Sequence, residues 1–397
     1  MTRRANQPPI YLDNQATTPC DPRVVEAMLP WFTEKFGNPG SATHAYGREA
    51  EAAVETARAQ VAALIGADPR EIVFTSGATE SNNLALKGAA HFHRDFDKDG
   101  VVTLATEHKC VLESTAALAR EGFRTTVLPV EPDGLLALDR LEAALDERTA
   151  ILSVMAAHNE IGVLQPLAAI AALARPRGIL FHSDAAQAVG KVPVDVNALG
   201  VDLLSISGHK IYGPKGIGAL YVRRRPRARL APLIDGGGQE RGLRSGTLPT
   251  PLCVGLGVAA ALAQAELAAE AERLLQLRRR FLSGIRARLP AVVLNGDAER
   301  RLPGNLNLSF PGTTAAALMA ACPEVALSTG SACTSAAIEP SYVLRALGVE
   351  PGLAAGSLRI GLGRFTTAAE VDFAVEALAA AAGHLASGVK TAAARAT

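Results

Sequence analysis

Cysteine is scarce in this chain. Five residues, Cys20, Cys110, Cys253, Cys322 and Cys333, are scattered over 397 positions, and no Cys-x-x-Cys pair occurs. An odd, widely spaced set argues against a disulfide framework and a structural zinc site, and it suits a reducing cytoplasm. An excess of one charge is also lacking. The 40 basic and 39 acidic residues leave a net charge of +1, so nothing global points to nucleic acid or an anionic membrane. One local exception, Arg223-Arg-Arg-Pro-Arg-Ala-Arg229, reads as a solvated loop or a dock for an acidic partner. Long hydrophobic runs are missing as well. The most apolar stretch, residues 252–263, is too short and too glycine-containing to span a bilayer. The first ten residues lack the apolar region of a signal peptide. There is neither a Walker A run nor a Gly-x-Gly-x-x-Gly fingerprint, which removes support for nucleoside-triphosphate and dinucleotide sites.

What is present describes a large soluble protein. Hydrophobic residues make up 48% and charged residues 20%, ample for a sizeable core. The length predicts roughly two to three domains. Strand-like segments at residues 72–74, 101–105, 126–130, 151–155, 179–181, 203–206 and 218–222 alternate with helical patterns at 47–65, 81–90, 109–121, 138–145 and 167–174. That alternation predicts an α/β domain with a mostly parallel sheet, whose ligands bind at the carboxyl ends of the strands. A long helix over residues 259–288 reads as a connector. Strands at 292–294, 306–310 and 357–361 and a helix over 368–386 predict a smaller α/β region. Residues 389–397 are expected to fray.

Chemistry-bearing residues gather at the ends of these segments. The run Ser205-Ile-Ser-Gly-His-Lys-Ile-Tyr-Gly-Pro-Lys-Gly216 delivers Lys210 from a strand into a turn. That placement suits a lysine that condenses with a carbonyl as a Schiff base. Thr75-Ser-Gly-Ala-Thr-Glu-Ser-Asn82 follows a strand and opens a helix, so its backbone N–H groups can converge on phosphate. His182-Ser-Asp-Ala-Ala-Gln187 puts Asp184 at another strand end. There a carboxylate either caps a helix or keeps a pyridine nitrogen protonated, the electron sink of pyridoxal phosphate. Thr106-Glu-His-Lys109 and His158-Asn-Glu-Ile-Gly162 bring an imidazole or amide to the same sheet edge, and His108 reads as a ring-stacking acid/base group. Ser328-Thr-Gly-Ser-Ala-Cys-Thr-Ser335 sets Cys333 among small residues, which reads as a nucleophile on a mobile loop. Arg359 either grips a carboxylate through two parallel bonds or makes a surface ion pair.

In order along nearly the whole chain, these runs resemble a cysteine desulfurase of the fold-type I, class V aminotransferase group. Tyr11-Leu-Asp-Asn-Gln-Ala-Thr-Thr-Pro19, Phe36-Gly-Asn-Pro39, Arg241-Gly-Leu-Arg-Ser-Gly-Thr247 and Glu339-Pro-Ser-Tyr-Val-Leu-Arg-Ala-Leu347 add to the match. The Ser-Gly-His-Lys and Ser-Ala-Cys runs together separate that group from ordinary aminotransferases. The resemblance implies a large sheet domain (residues 16–262) and a smaller α/β domain (residues 1–15 and 263–397) that carries the catalytic cysteine. It implies pyridoxal phosphate as cofactor, bound to Lys210. Asp184 would pair with the pyridine nitrogen, Gln187 and Asn159 would contact the ring hydroxyl, and His108 would stack on the ring. Ala78, Thr79, Ser207 and His209 would hold the phosphate. Thr247 would reach the phosphate of the other subunit of a homodimer. Asn38 and Arg359 would hold the substrate carboxylate. Cys333 would carry the persulfide formed as L-cysteine becomes L-alanine. No stable metal site is implied, although Cys333 could ligate a transient iron–sulfur cluster.

The cysteine run resembles the branch serving iron–sulfur scaffolds, so the implied partner is a scaffold or sulfur-acceptor protein. No nucleic-acid or membrane partner is implied. Two features depart from the pattern. His158 stands where the group usually has asparagine, and residues 392–397 do not match the Ser-Pro-Leu-Trp tail of housekeeping members. A selenocysteine lyase or another class V aminotransferase is the alternative; it would share Lys210 and Asp184 but need no mobile nucleophile.

Overall fold

A seven-stranded sheet organises the larger part of the computed structural model, which describes residues 8–329 and 341–395. From edge to edge its strands are Ile72–Thr75, Gly218–Val222, Leu203–Ser207, Leu180–Asp184, Thr149–Ser153, Gly100–Leu104 and Arg124–Leu128. Pairing is parallel from Leu203–Ser207 onward, whereas Gly218–Val222 runs antiparallel to both its neighbours. The central strands are buried at nearly every position, so they appear in the sequence as continuous apolar runs. The edge strand Arg124–Leu128 is mostly exposed. Its polar first half hides it in the sequence, and this explains why the apolar signal placed it two residues late. Two apolar cores cover the sheet faces. One includes Phe181, Leu204, Ile206 and Tyr221, and the other Val73, Leu86, Ile151 and Leu220.

The helix Thr250–Arg288 is longer than its sequence signal, because Pro251 falls in the first turn, where proline is tolerated. By length and composition it could cross a membrane, with an 18-residue window of mean hydropathy 1.7. Its apolar positions are instead spent on packing. Cys253, Leu256, Ala259 and Ala260 join the large core, while Leu274, Leu277, Phe281 and Ile285 join a second one. At Gly257 a Cβ would come within 2.5 Å of the Ala57 Cα on helix Ala45–Leu64, so only glycine permits this backbone approach.

The second core lies against an antiparallel sheet of Ser357–Gly361, Asn305–Ser309 and Val293–Leu294. Ile10–Tyr11 pairs in parallel with Val325–Ala326, which brings the N-terminal segment to this unit. The division at residue 262 falls inside one continuous helix, and Val343, Leu344, Leu347 and Ala354 pack into the large core. The closing helix Ala368–Arg395 runs past residue 386 and through much of the stretch expected to fray. Alanine's helix propensity accounts for the extension.

Candidate functional site

The carboxyl ends of the central strands open onto a cavity of about 620 Å³. Lys210 and Asp184 reach it from neighbouring strands: Leu180–Asp184 and Leu203–Ser207 are paired, with Asp184 opposite Ser205. A short 3₁₀ turn, Gly208–Lys210, then carries the lysine to the rim. Of the residues singled out in the sequence, Ala78, Thr79, His108, Asn159, Asp184, Gln187, Ser207, His209, Lys210 and Arg359 line this cavity.

The Lys210 amine donates to the backbone carbonyls of Gln15 at 2.6 Å and Ala16 at 2.7 Å. Asp184 accepts from the Ala186 N–H at 3.0 Å and from the Asn82 amide at 2.7 Å. Asn82 also donates to the Cys110 sulfur at 3.1 Å, and Cys110 sits 3.0 Å from His108 Nδ1. That same Nδ1 accepts the Cys110 backbone N–H, so in the neutral ring the proton is on Nε2. A side-chain chain therefore ties Asp184 to His108 through Asn82 and Cys110.

The helix Ala78–Arg94 supplies the anion end. Its N-cap, Gly77, has no side chain to cap the first N–H groups. Gly77 has φ +151°, and a Cβ there would meet nothing within 4 Å, so this face is open. His209 lies close by. Burial and the charges of Lys210, Lys215 and Lys191 push its imidazole down to about 4, so it is neutral near pH 7. Lys210, Lys215 and Arg359 face the cavity against Asp184 and Glu80, and Glu80 is already paired with Arg244 at 2.8 Å. The balance favours an anionic ligand.

Arg359 belongs to strand Ser357–Gly361 and is buried. Its Nη2 donates to Asp13 at 2.8 Å and its Nη1 to the Asn159 carbonyl at 3.3 Å. Its Nε has no partner among the described residues. The guanidinium thus keeps unspent capacity for a second carboxylate.

Asn38 and Thr247 do not reach the cavity. Both are exposed, and the Asn38 side chain accepts from the Gly40 N–H at 2.8 Å. Cys333 lies outside the described residues. Sequence reasoning missed the contribution of Gln15 and Ala16, because a backbone carbonyl leaves no trace in residue type. Asn82 was within reach: it lies one helical turn after Ala78, on the same face.

His158 replaces an amide with a buried imidazole that still bridges two backbone groups. Its Nδ1 accepts from the Glu160 N–H at 2.9 Å, so Nε2–H donates to the Thr106 carbonyl at 2.7 Å. Burial pushes this imidazole down from 6.5 to about 4. Between those values the unfolded chain binds a proton that the folded chain refuses, so stability falls as pH drops through this window. The contribution is at most about 3 kcal/mol. His158→Asn is expected to flatten the pH dependence of the melting temperature there, as read by thermal denaturation. Burial holds His182 down at about 3, so some slope will persist.

Known proteins match this architecture. A family model described as aminotransferase class-V matches residues 10–373. The cysteine desulfurase IscS of Rickettsia akari is 58% identical over 367 residues, 92% of this chain and 89% of that protein. A cysteine desulfurase of Mus musculus is 58% identical over 368 residues, 93% of this chain and 80% of that protein. Among solved structures, a NifS-like protein aligns with a TM-score of 0.87 at 38% identity, covering 94% of this chain and 98% of that one. SspA in complex with cysteine aligns with a TM-score of 0.80 at 39% identity, covering 90% and 100%. A match over most of the length, on a mostly parallel sheet with a lysine and an aspartate at adjacent strand ends, places this chain in the class-V aminotransferase family of fold-type I pyridoxal-phosphate enzymes, beside the cysteine desulfurases.

Proposed function

We propose that the protein is a pyridoxal-phosphate-dependent cysteine desulfurase that converts L-cysteine to L-alanine and passes the sulfur to Cys333 as a persulfide. The observation that carries this reading is the convergence of Lys210 and Asp184 on one cation-rich cavity, in a chain 58% identical to cysteine desulfurases. The residues present fit the cofactor. The uncapped helix end at Gly77, with Thr79, Ser207 and His209, suits a phosphate. Asp184 would pair with a protonated pyridine nitrogen, and the Lys210 amine would hold the cofactor through its carbonyl carbon. When bound, pyridoxal phosphate supplies an electron sink for the pair left at Cα.

The chain's own groups do the rest. Arg359 takes the α-carboxylate, using capacity that Asp13 and Asn159 leave open. The Lys210 amine moves the Cα proton, and His108, whose Nδ1 accepts the Cys110 N–H, presents its Nε2–H. Cys333 thiolate attacks the substrate sulfur. The C–S bond breaks, an S–S bond forms, and the carbon keeps the electron pair and takes a proton as alanine. Incubating the holoprotein with L-cysteine is expected to give alanine and, in a single turnover, one equivalent of sulfane sulfur on the protein. Transamination to a keto acid with no bound sulfur would overturn the reading.

A homodimer is part of the proposal. Leu29, Phe32, Phe36 and Tyr46 are 59%, 56%, 66% and 55% exposed, a costly apolar surface for a lone chain. Asn38 lies in this same stretch, and with Thr247 it could complete a neighbour's site. The product persulfide needs an acceptor, and the sequence resemblance favours an iron–sulfur scaffold or another sulfur acceptor in the cytoplasm.

A further inference from the structure

Lys191 is absent from the cavity wall and has no part in the chemistry above, yet it is tied to it. It follows strand Leu180–Asp184 by seven residues, and its Nζ donates to Gln187 Oε1 at 2.7 Å. Gln187 Nε2 donates in turn to the Gln15 carbonyl at 2.9 Å. That carbonyl also receives the Lys210 amine at 2.6 Å. The Gln187 amide is therefore fixed in one orientation, with its oxygen turned to Lys191. Its NH₂ group keeps one N–H beyond the bond to Gln15. Without the lysine, the amide could flip and offer its oxygen instead.

We propose that Lys191 is a positioning residue that fixes Gln187 as a hydrogen-bond donor to the ring hydroxyl of the lysine-bound cofactor. This rests on the reading of Gln187 as a ring contact. A donor at that oxygen stabilises its ionised form. It weakens the hold of that oxygen on the proton of the adjacent lysine–cofactor nitrogen, so the nitrogen gives up its proton at lower pH. Positive charge on Lys191 acts in the same direction. The ammonium is itself under strain: burial and repulsion by Lys210 push it down to about 7, with Glu270 opposing and Arg359 adding to the effect. The neutral amine still donates to Gln187, so the orientation survives titration.

The test is a spectroscopic pH titration of the holoprotein without cysteine, so it does not depend on desulfuration. Lys191→Met, Lys191→Leu and Gln187→Ala are each expected to raise the midpoint of the visible absorbance change by about one pH unit, tenfold in proton affinity. Lys191→Arg, which keeps a charged donor, should stay near the wild type. Two lysine variants guard against one that fails to fold. If Gln187→Ala shifts and both neutral lysine variants titrate like the wild type, Lys191 has no such role. If Gln187→Ala leaves the midpoint in place, the reading of Gln187 fails, and the proposal falls with it.

Discussion

Lys210→Ala is expected to abolish the visible absorbance of the lysine-bound cofactor and to stop alanine formation. Proton transfer by a positioned side chain alone is worth about 10²–10⁴-fold. The same substitution removes the Schiff-base partner, so the loss should meet or exceed the top of that range. The structure shows why a neighbouring cation cannot step in. Lys210 is delivered by the 3₁₀ turn at the end of a central strand, and its amine is aimed by two fixed carbonyls, those of Gln15 and Ala16. Lys191 is held on Gln187 Oε1 and does not line the cavity. Lys215 does line it, but it belongs to the glycine-rich turn beyond the site. The check is an absorbance spectrum with alanine assayed in parallel. Normal turnover by Lys210→Ala would remove the lysine from its assigned role.

Cys333→Ser is expected to leave cofactor binding and amino-acid binding intact while desulfuration falls by at least about 10³-fold, within the range that loss of an enzyme nucleophile costs. The other cysteines support this expectation by elimination. Burial pushes the Cys253 thiol up to about 12 and the Cys322 thiol up to about 11, so neither yields a thiolate near neutrality. Burial and the adjacent Asp21 also push Cys20 up. Cys110 lines the cavity, but it is engaged by His108 and Asn82. Mass spectrometry after one turnover with L-cysteine should find the added sulfur at Cys333 in the wild type and none in the variant. If the variant still accumulates one sulfur, the double variant with Cys110→Ser would show whether the cavity thiol is the acceptor.

How much of this was legible in the sequence follows from burial and from chain locality. The central strands are covered on both faces, so Leu203–Ser207 and Gly218–Val222 stand out as apolar runs. Arg124–Leu128 is an edge strand and does not. The site motifs were legible for a related reason. In a parallel sheet, a strand end and the turn after it are contiguous in sequence, so Lys210, Asp184, His108 and the Thr75–Asn82 run each carry their own local signal.

The sequence by itself determined the inventory of chemistry: a lysine at a strand mouth, an aspartate at another strand end, a glycine-opened helix and a cysteine among small residues. Their order and spacing also determined the family, because each motif is local. Only the tertiary structure decided how these groups are held. Asp13 meets Arg359 across 346 residues, and the carbonyls of Gln15 and Ala16 meet Lys210 across nearly 200. Gln187 meets the Gln15 carbonyl across 172 residues. Such pairings depend on which segments the sheet and its second core bring together, and on backbone groups that every residue shares, so residue identity alone could not encode them.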